Sequence, residues 1–188
     1  LSFAYRLAPE HPFPAALEDA LRAYDYLIAC GVPPEKMIFA GESAGGGLLF
    51  ALALKLKEQG RGLPSALVAM SPWVDLACAG ESYRKNKEVD PSLDRPSLYK
   101  HAGLYAGDRL TDPLISPLYG DLRGLPRTLI LAGSDELLLS DAVMMAERLI
   151  SAGCDATLDV AEGMWHVYEL YRVPESDEAL CKIKQFLG

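Results

Sequence analysis

The chain has 188 residues, half of them hydrophobic and 23% charged, which suits one globular domain with an ample core. Its net charge of −8, from 18 Lys and Arg against 26 Asp and Glu, argues against nucleic acid or an anionic membrane as a main partner. No apolar run reaches the ~18 residues of a membrane-spanning helix, and the three histidines and four cysteines form no cluster with metal-ligand spacing.

The first half of the chain alternates between strand and helix patterns. Leu1–Tyr5 is apolar and β-favouring, and a helix with an apolar stripe follows over Ala15–Ala29. Met37–Ala40 predicts a short strand, and the apolar run after it predicts a buried helix that continues to about Gln59 and ends at Gly60.

The second half keeps this alternation, apart from one interruption. The predicted elements are a strand over Ala66–Met70, a strand over Thr128–Ala132, a helix over Asp141–Ala152, an edge strand over Ala156–Val160 and a last helix capped by Ser176. Residues 76–126 break the rhythm with several prolines, and short helices are predicted in them around Tyr83 and Tyr99. The pattern predicts an α/β protein whose mostly parallel sheet has helices on both faces.

Gly41–Gly45 fits the pattern G-x-S-x-G, in which a serine occupies a strained turn between a strand and a helix. Glycine lacks a Cβ atom, so Gly41 and Gly45 are expected to let this turn close tightly. Ser43 would then lie at a helix N-terminus, where backbone N–H groups favour negative charge.

Two further candidates follow later strands, in the order Ser, Asp, His that α/β hydrolases use. They are Asp135, after the Thr128–Ala132 strand, and His166, after the Ala156–Val160 strand. A serine hydroxyl needs a neutral imidazole to take its proton, and the imidazole needs a carboxylate to orient it. Glu136 and Asp141 are alternatives to Asp135, although Asp141 better suits the first turn of a helix. His11 and His101 are interpreted as structural or exposed.

Six segments, in their order along the chain, resemble the bacterial hormone-sensitive-lipase-like esterases of the α/β-hydrolase superfamily. These segments are Tyr5–Ala16, Gly41–Gly46, Ser71–Leu76, Asp112–Leu118, Ala132–Asp135 and Gly163–Val167. The resemblance covers essentially the whole chain and implies Ser43 as nucleophile, His166 as base and Asp135 as its orienting acid. It also implies that the Ala44 N–H is an oxyanion donor and that residues 76–126 form part of a lid.

The chain departs from the family's usual sequence at two places. Glu42 stands where the family usually has Asp or Thr, and we expect little effect from this change. The family's N-terminal strands and its H-G-G-G oxyanion loop have no counterpart in this chain, which begins at Leu1 inside an apolar segment. We therefore expect residues 1–188 to be a single catalytic domain with impaired esterase activity when alone, and with an exposed strand edge that favours self-association.

The resulting prediction is a serine carboxylesterase that acts on short- to medium-chain acyl esters through an acyl-enzyme, without a cofactor or metal. Trp73, Leu138 and Val167 are the candidates for the wall of its substrate pocket. The expected partner is a small-molecule ester, a homodimer is left open, and the unpaired cysteines favour a cytoplasmic location. The alternatives are a non-catalytic binding protein of the same fold and an amidase or peptidase.

Overall fold

The computed structural model describes residues 1–188 and contains a four-stranded, fully parallel sheet in the order β1-β2-β3-β4. The strands are β1 (Ile38–Glu42), β2 (Ala66–Met70), β3 (Arg127–Gly133) and β4 (Ala156–Ala161). The central strands β2 and β3 are almost entirely buried, as their continuous apolar sequences predict. The prediction that β4 is an edge strand is confirmed, and β1 is the other edge.

Six α-helices surround this sheet. They are α1 (Ala15–Ala29), α2 (Ser43–Glu58), α3 (Ser82–Lys85), α4 (Arg95–Ala106), α5 (Leu139–Ser151) and α6 (Pro174–Leu187). The bounds of α1 and β2 are those predicted, and the other predicted helices lie within about three residues of the observed ones. None of these helices is long and apolar enough to cross a membrane.

The helices cover both faces of the sheet. On one face α2 and α5 pack against β2 and β3 in a cluster that includes Phe50, Leu67 and Met145. On this same side α1 packs against α2. On the opposite face α6 packs against β3, with Ala179 against Leu129 and Leu131. The predicted α/β architecture is therefore confirmed.

The prediction of a strand over Leu1–Tyr5 is wrong. This segment has no ladder partner, and a strand exists only where its backbone groups pair with a neighbour. It is tied instead to α1, because the backbone N–H and the guanidinium of Arg6 both donate to Asp19 at 2.9 Å.

The start of α6 also differs from the prediction. The helix begins at Pro174, whose fixed φ suits the first helical position. Ser176 lies inside the first turn and its Oγ donates to the Val173 carbonyl at 2.7 Å, so it is not the cap. The buried face is formed by Ala179 with Ile183 and Phe186, which leaves Leu180 exposed.

Residues 76–126 form α3, α4 and the loops around them, with a core of their own. Tyr83, Leu98 and Ile115 are buried there against Leu137 and Leu138, which lie at the start of α5. One buried carboxylate, that of Asp141, connects this segment to α5. Asp141 accepts hydrogen bonds from the Val74 and Asp75 N–H groups and from the Tyr83 hydroxyl, and burial raises the pKa of its carboxyl well above the usual range.

All four cysteines are free. Cys78 is buried, and the loss of hydration raises the pKa of its thiol to about 11, which leaves it protonated and inert at neutral pH. Cys30 and Cys181 are exposed.

Candidate active site

Ser43 occupies a sharp turn at which β1 ends and α2 begins. Its φ of 51° lies in the left-handed region, which is uncommon and strained for a residue with a side chain. The turn is secured from the neighbouring strand, because the Trp73 N–H donates to the Ser43 carbonyl at 2.9 Å. Strain of this kind persists only where the surroundings impose it, so the fold holds Ser43 in this conformation.

The two glycines of the motif have different roles. A Cβ atom on Gly41 would collide with the backbone carbonyl of Gly45, so Gly41 is required for the close approach within the turn. A Cβ atom on Gly45 would meet nothing within 4 Å, so the predicted role of Gly45 in tight closure is wrong. Gly46 and Gly47 are tight positions as well, because a Cβ atom on Gly46 would lie 2.9 Å from Pro72 and one on Gly47 would collide with the Trp73 carbonyl.

We therefore expect Gly41→Ala to destabilise the fold by about 1 to 3 kcal/mol, since the backbone of the turn must shift. Gly45→Ala is the matched control, and we expect it to leave stability unchanged or to raise it by up to about 1 kcal/mol, because alanine favours the helix. Urea unfolding of the two variants and the wild type measures both effects. Equal destabilisation by both substitutions would contradict this assignment.

His166 reaches Ser43 from the loop after β4. Its Nε2 atom lies 2.9 Å from Ser43 Oγ, and the residue is 8% exposed. The next residue, Val167, has a left-handed φ of 55°, and its N–H donates to Ser71 Oγ at 2.9 Å. The loop also passes close to β3, where a side chain on Gly133 would collide with the Met164 carbonyl. These contacts place the imidazole directly beside the serine.

The carboxylate beside His166 is Glu136, and the prediction of Asp135 in that position is wrong. Glu136 Oε2 lies 3.1 Å from His166 Nδ1, and its side chain is fully buried. The Asp135 carboxylate instead accepts a hydrogen bond from Ser134 Oγ at 2.9 Å. The Asp135 N–H donates to the Met164 carbonyl at 2.9 Å, which leaves the following residue to extend toward the imidazole.

Residues 76–126, called the insertion from here on, hold the turn that carries Glu136. The side-chain amide of Asn86 donates to the carbonyls of Ser134 and Glu136, each at 2.9 Å. Asp90 accepts a hydrogen bond from the Leu137 N–H at 2.7 Å. Neither residue was predicted as part of the site, because no motif in the sequence links residues 86 and 90 to position 136.

Ala44 is the second residue of α2. The first four N–H groups of a helix have no acceptor within the helix, so the Ala44 N–H is available beside the serine. Ser43, His166 and Glu136 together form the arrangement in which an imidazole can remove a hydroxyl proton while a carboxylate orients it.

A cavity of about 400 Å³ opens next to Ser43. Its wall is mostly apolar and comes from α2, from residues 76–126 and from the N-terminal segment, with Leu48, Leu98 and Leu7 among the lining residues. Trp73 lines it as predicted, and the exposed His101 does so too. Leu138 and Val167 do not, which corrects their prediction as wall residues: Leu138 is buried in the core of the insertion and Val167 is buried beside Ser71.

Comparison with known proteins assigns the chain to a family. Residues 1–170 match the model of the α/β-hydrolase fold family, and the chain belongs to this family. It is 43% identical over 183 residues to an acetyl-hydrolase of Streptomyces hygroscopicus, which is 96% of this chain and 61% of that protein. It is 38% identical over 186 residues to an esterase of Acinetobacter venetianus, which is 97% of this chain and 61% of that protein.

The solved structures agree. The chain superposes with a TM-score of 0.95 and 44% identity on an esterase from the bacterial hormone-sensitive lipase family, covering 97% of this chain and 63% of that one. This confirms the resemblance noted from the six segments. The chain spans less than two thirds of the length of these relatives.

Proposed function

We propose that this protein is a serine carboxylesterase in which Ser43 is the nucleophile, His166 the general base and Glu136 the acid that orients it. The observation that carries this proposal is the continuous contact from Ser43 Oγ to His166 Nε2 and from His166 Nδ1 to Glu136 Oε2, at 2.9 and 3.1 Å. Similarity to an acetyl-hydrolase and to an esterase supports the same class of reaction.

The reaction would proceed in two halves. His166 removes the proton of Ser43 as the oxygen attacks the ester carbonyl, and the resulting oxyanion accepts a hydrogen bond from the Ala44 N–H. His166 then gives the proton to the departing alcohol, which leaves an acyl group on Ser43. A water molecule, deprotonated by His166, attacks this acyl-enzyme and releases the acid, and Ser43 regains its proton.

The cavity supports an apolar acyl group of short to medium length. Its volume of about 400 Å³ lies at the small end of the range for ligand sites. Its one guanidinium, that of Arg6, is bound by Asp19 and is therefore not free to pair with a charged acyl chain. Residues 76–126 would act as a lid element, since α4 contributes Leu98 to the wall.

A panel of p-nitrophenyl esters of increasing chain length, with the matching anilides, tests the proposal. We expect turnover of the short and medium esters and little turnover of the anilides. Preference for anilides would favour an amidase. No turnover of either series by the full-length protein would favour the non-catalytic alternative.

The pH dependence of ester hydrolysis should show whether a histidine is the general base. A histidine accepts a proton only when neutral, so we expect kcat/KM to fall as the solution is made acidic. A pH profile of kcat/KM measures this effect, and a rate that stays flat down to pH 4.5 would argue against His166 as the base.

The activity of residues 1–188 by themselves is part of the same proposal. The outer edge of β1 is unpaired, with Ile38 44% exposed, and an open apolar edge favours association with another chain. We propose that these residues alone are a weak esterase that self-associates. The four free cysteines suit the cytoplasmic location that we also propose.

A further inference from the structure

Glu136 reaches His166 from a turn that belongs to no helix or strand. β3 ends at Gly133 and α5 begins at Leu139, so residues 134–138 lie outside both elements. The Glu136 carboxylate has a single hydrogen-bond partner, because Oε2 contacts His166 and Oε1 is buried without a partner. No other hydrogen bond fixes this side chain, so its position depends on the backbone from which it extends.

One side chain, that of Asn86, supplies two hydrogen bonds to this backbone. Its amide nitrogen lies 2.9 Å from the Ser134 carbonyl oxygen and 2.9 Å from the Glu136 carbonyl oxygen. Both partners are acceptors, so the nitrogen and not the oxygen of the amide must face them, and its two N–H groups suffice for both. Asn86 thus binds the turn on either side of Asp135.

Asn86 is itself held in place by contacts that do not involve the triad. It directly follows α3, and its N–H donates to the Ser82 carbonyl at 2.9 Å. Its own carbonyl accepts a hydrogen bond from the Asp90 N–H at 2.9 Å, and the Asp90 carboxylate accepts one from the Leu137 N–H at 2.7 Å. Two linked residues of the insertion therefore bind the turn directly at and after Glu136.

We propose that Asn86 is a positioning residue, which holds the turn so that the Glu136 carboxylate stays in contact with His166 Nδ1. Asn86 touches no reacting atom, and no proton passes through it. Its effect on the rate can still be large, because misplacement of a catalytic group by about 1 Å can cost about 100-fold. This inference rests on the proposed function, because it assigns Asn86 a part in the geometry of the same triad.

The test uses Asn86→Ala and Asn86→Asp in the full-length protein. N86A removes the amide, whereas N86D keeps its shape and places an oxygen against the two carbonyl oxygens. We expect both variants to lower kcat by about 10- to 100-fold. We expect KM to stay within about threefold of the wild type, because Asn86 does not line the cavity. Unchanged kcat in both variants would overturn the inference.

Tyr83→Phe is the matched control. Tyr83 lies in α3, and its hydroxyl donates to Asp141 in α5 at 2.8 Å, so Y83F removes another hydrogen bond between the insertion and α5 without touching Glu136. We expect Y83F to unfold at a lower temperature and to keep kcat within about threefold. An equal loss of kcat in Y83F and N86A would show that the rate responds to any loosening of the insertion, which would contradict a specific role for Asn86.

A double variant tests whether Asn86 acts through Glu136. In the E136Q background the contact that Asn86 supports is already impaired, so N86A should lower kcat by less than about threefold further. Losses that multiply in N86A/E136Q would show that the two residues act independently, and the inference would then be wrong.

Proton NMR gives a readout that needs no turnover. A proton held between an imidazole nitrogen and a buried carboxylate resonates downfield of ordinary N–H protons, so the wild type should show such a signal and E136Q should lack it. We expect N86A to lose or shift this signal and Y83F to keep it. A signal in N86A identical to that of the wild type would refute the positioning role. If the wild type hydrolyses no ester, the proposed function fails, and this signal still decides whether Asn86 holds Glu136 against His166.

Discussion

Ser43→Ala in the full-length protein should abolish ester hydrolysis while the fold survives. The substitution removes only the hydroxyl oxygen that lies 2.9 Å from His166 Nε2. Loss of one member of such a triad removes most of the rate, and only about 10³- to 10⁴-fold of catalysis over water remains from binding and oxyanion contacts. Steady-state assay with a p-nitrophenyl ester measures the loss, and circular dichroism with thermal unfolding checks the fold.

The left-handed conformation of Ser43 makes stability part of this test. Alanine carries the same Cβ atom as serine, so the backbone strain at φ 51° is retained and the unfolding temperature should change little. A variant with turnover within tenfold of the wild type would overturn the assignment of Ser43. A variant that loses both activity and structure would assign Ser43 a structural role.

Glu136→Gln should lower kcat by about 10³- to 10⁴-fold, because an amide in place of the carboxylate no longer fixes the imidazole tautomer or stabilises the imidazolium. The side chain keeps its size and remains in its fully buried position, so the fold should be retained. Full kinetics on a short-chain ester, with thermal unfolding of the same sample, separates loss of chemistry from loss of structure.

Asp135→Asn is the matched control for this prediction. It changes the adjacent acid by the same chemical substitution, but Asp135 accepts its hydrogen bond from Ser134 and does not touch His166. We expect activity within about threefold of the wild type, as for a change outside a coupled network. The reverse result, a loss of activity in D135N and normal activity in E136Q, would show that Asp135 is the orienting acid, as the sequence analysis predicted.

The choice between these two neighbours illustrates what a sequence leaves open. β3 ends at Gly133, so the alternation of side chains along a strand no longer applies at positions 135 and 136. Beyond that point the direction of each side chain depends on the turn. Hydrogen bonds from Asn86 and to Met164 shape this turn, and both partners are distant in sequence. The resemblance to a known family indicated the correct segment but the wrong residue within it, Asp135 in place of Glu136.

Local patterns were sufficient where packing follows directly from periodicity. The continuous apolar run of Ala66–Met70 predicted the bounds of β2, and the stripe of α1 predicted both of its ends. Leu1–Tyr5 shows the limit, because a strand is defined by a partner and β1 leaves its outer edge unpaired beside this segment. β-Propensity describes whether a segment can adopt a strand conformation, whereas pairing with a neighbouring strand decides whether it becomes part of a sheet.

The sequence by itself determined the α/β class, the serine turn and the histidine after the last strand, because each depends on local periodicity or on a compact motif. The tertiary structure alone decided that Glu136 contacts the imidazole and that Gly41, and not Gly45, is required for the close approach within the turn. The contact of Glu136 with His166 joins positions 30 residues apart, and that of Ser43 with His166 joins positions 123 apart. Such contacts are set by how the helices and strands pack.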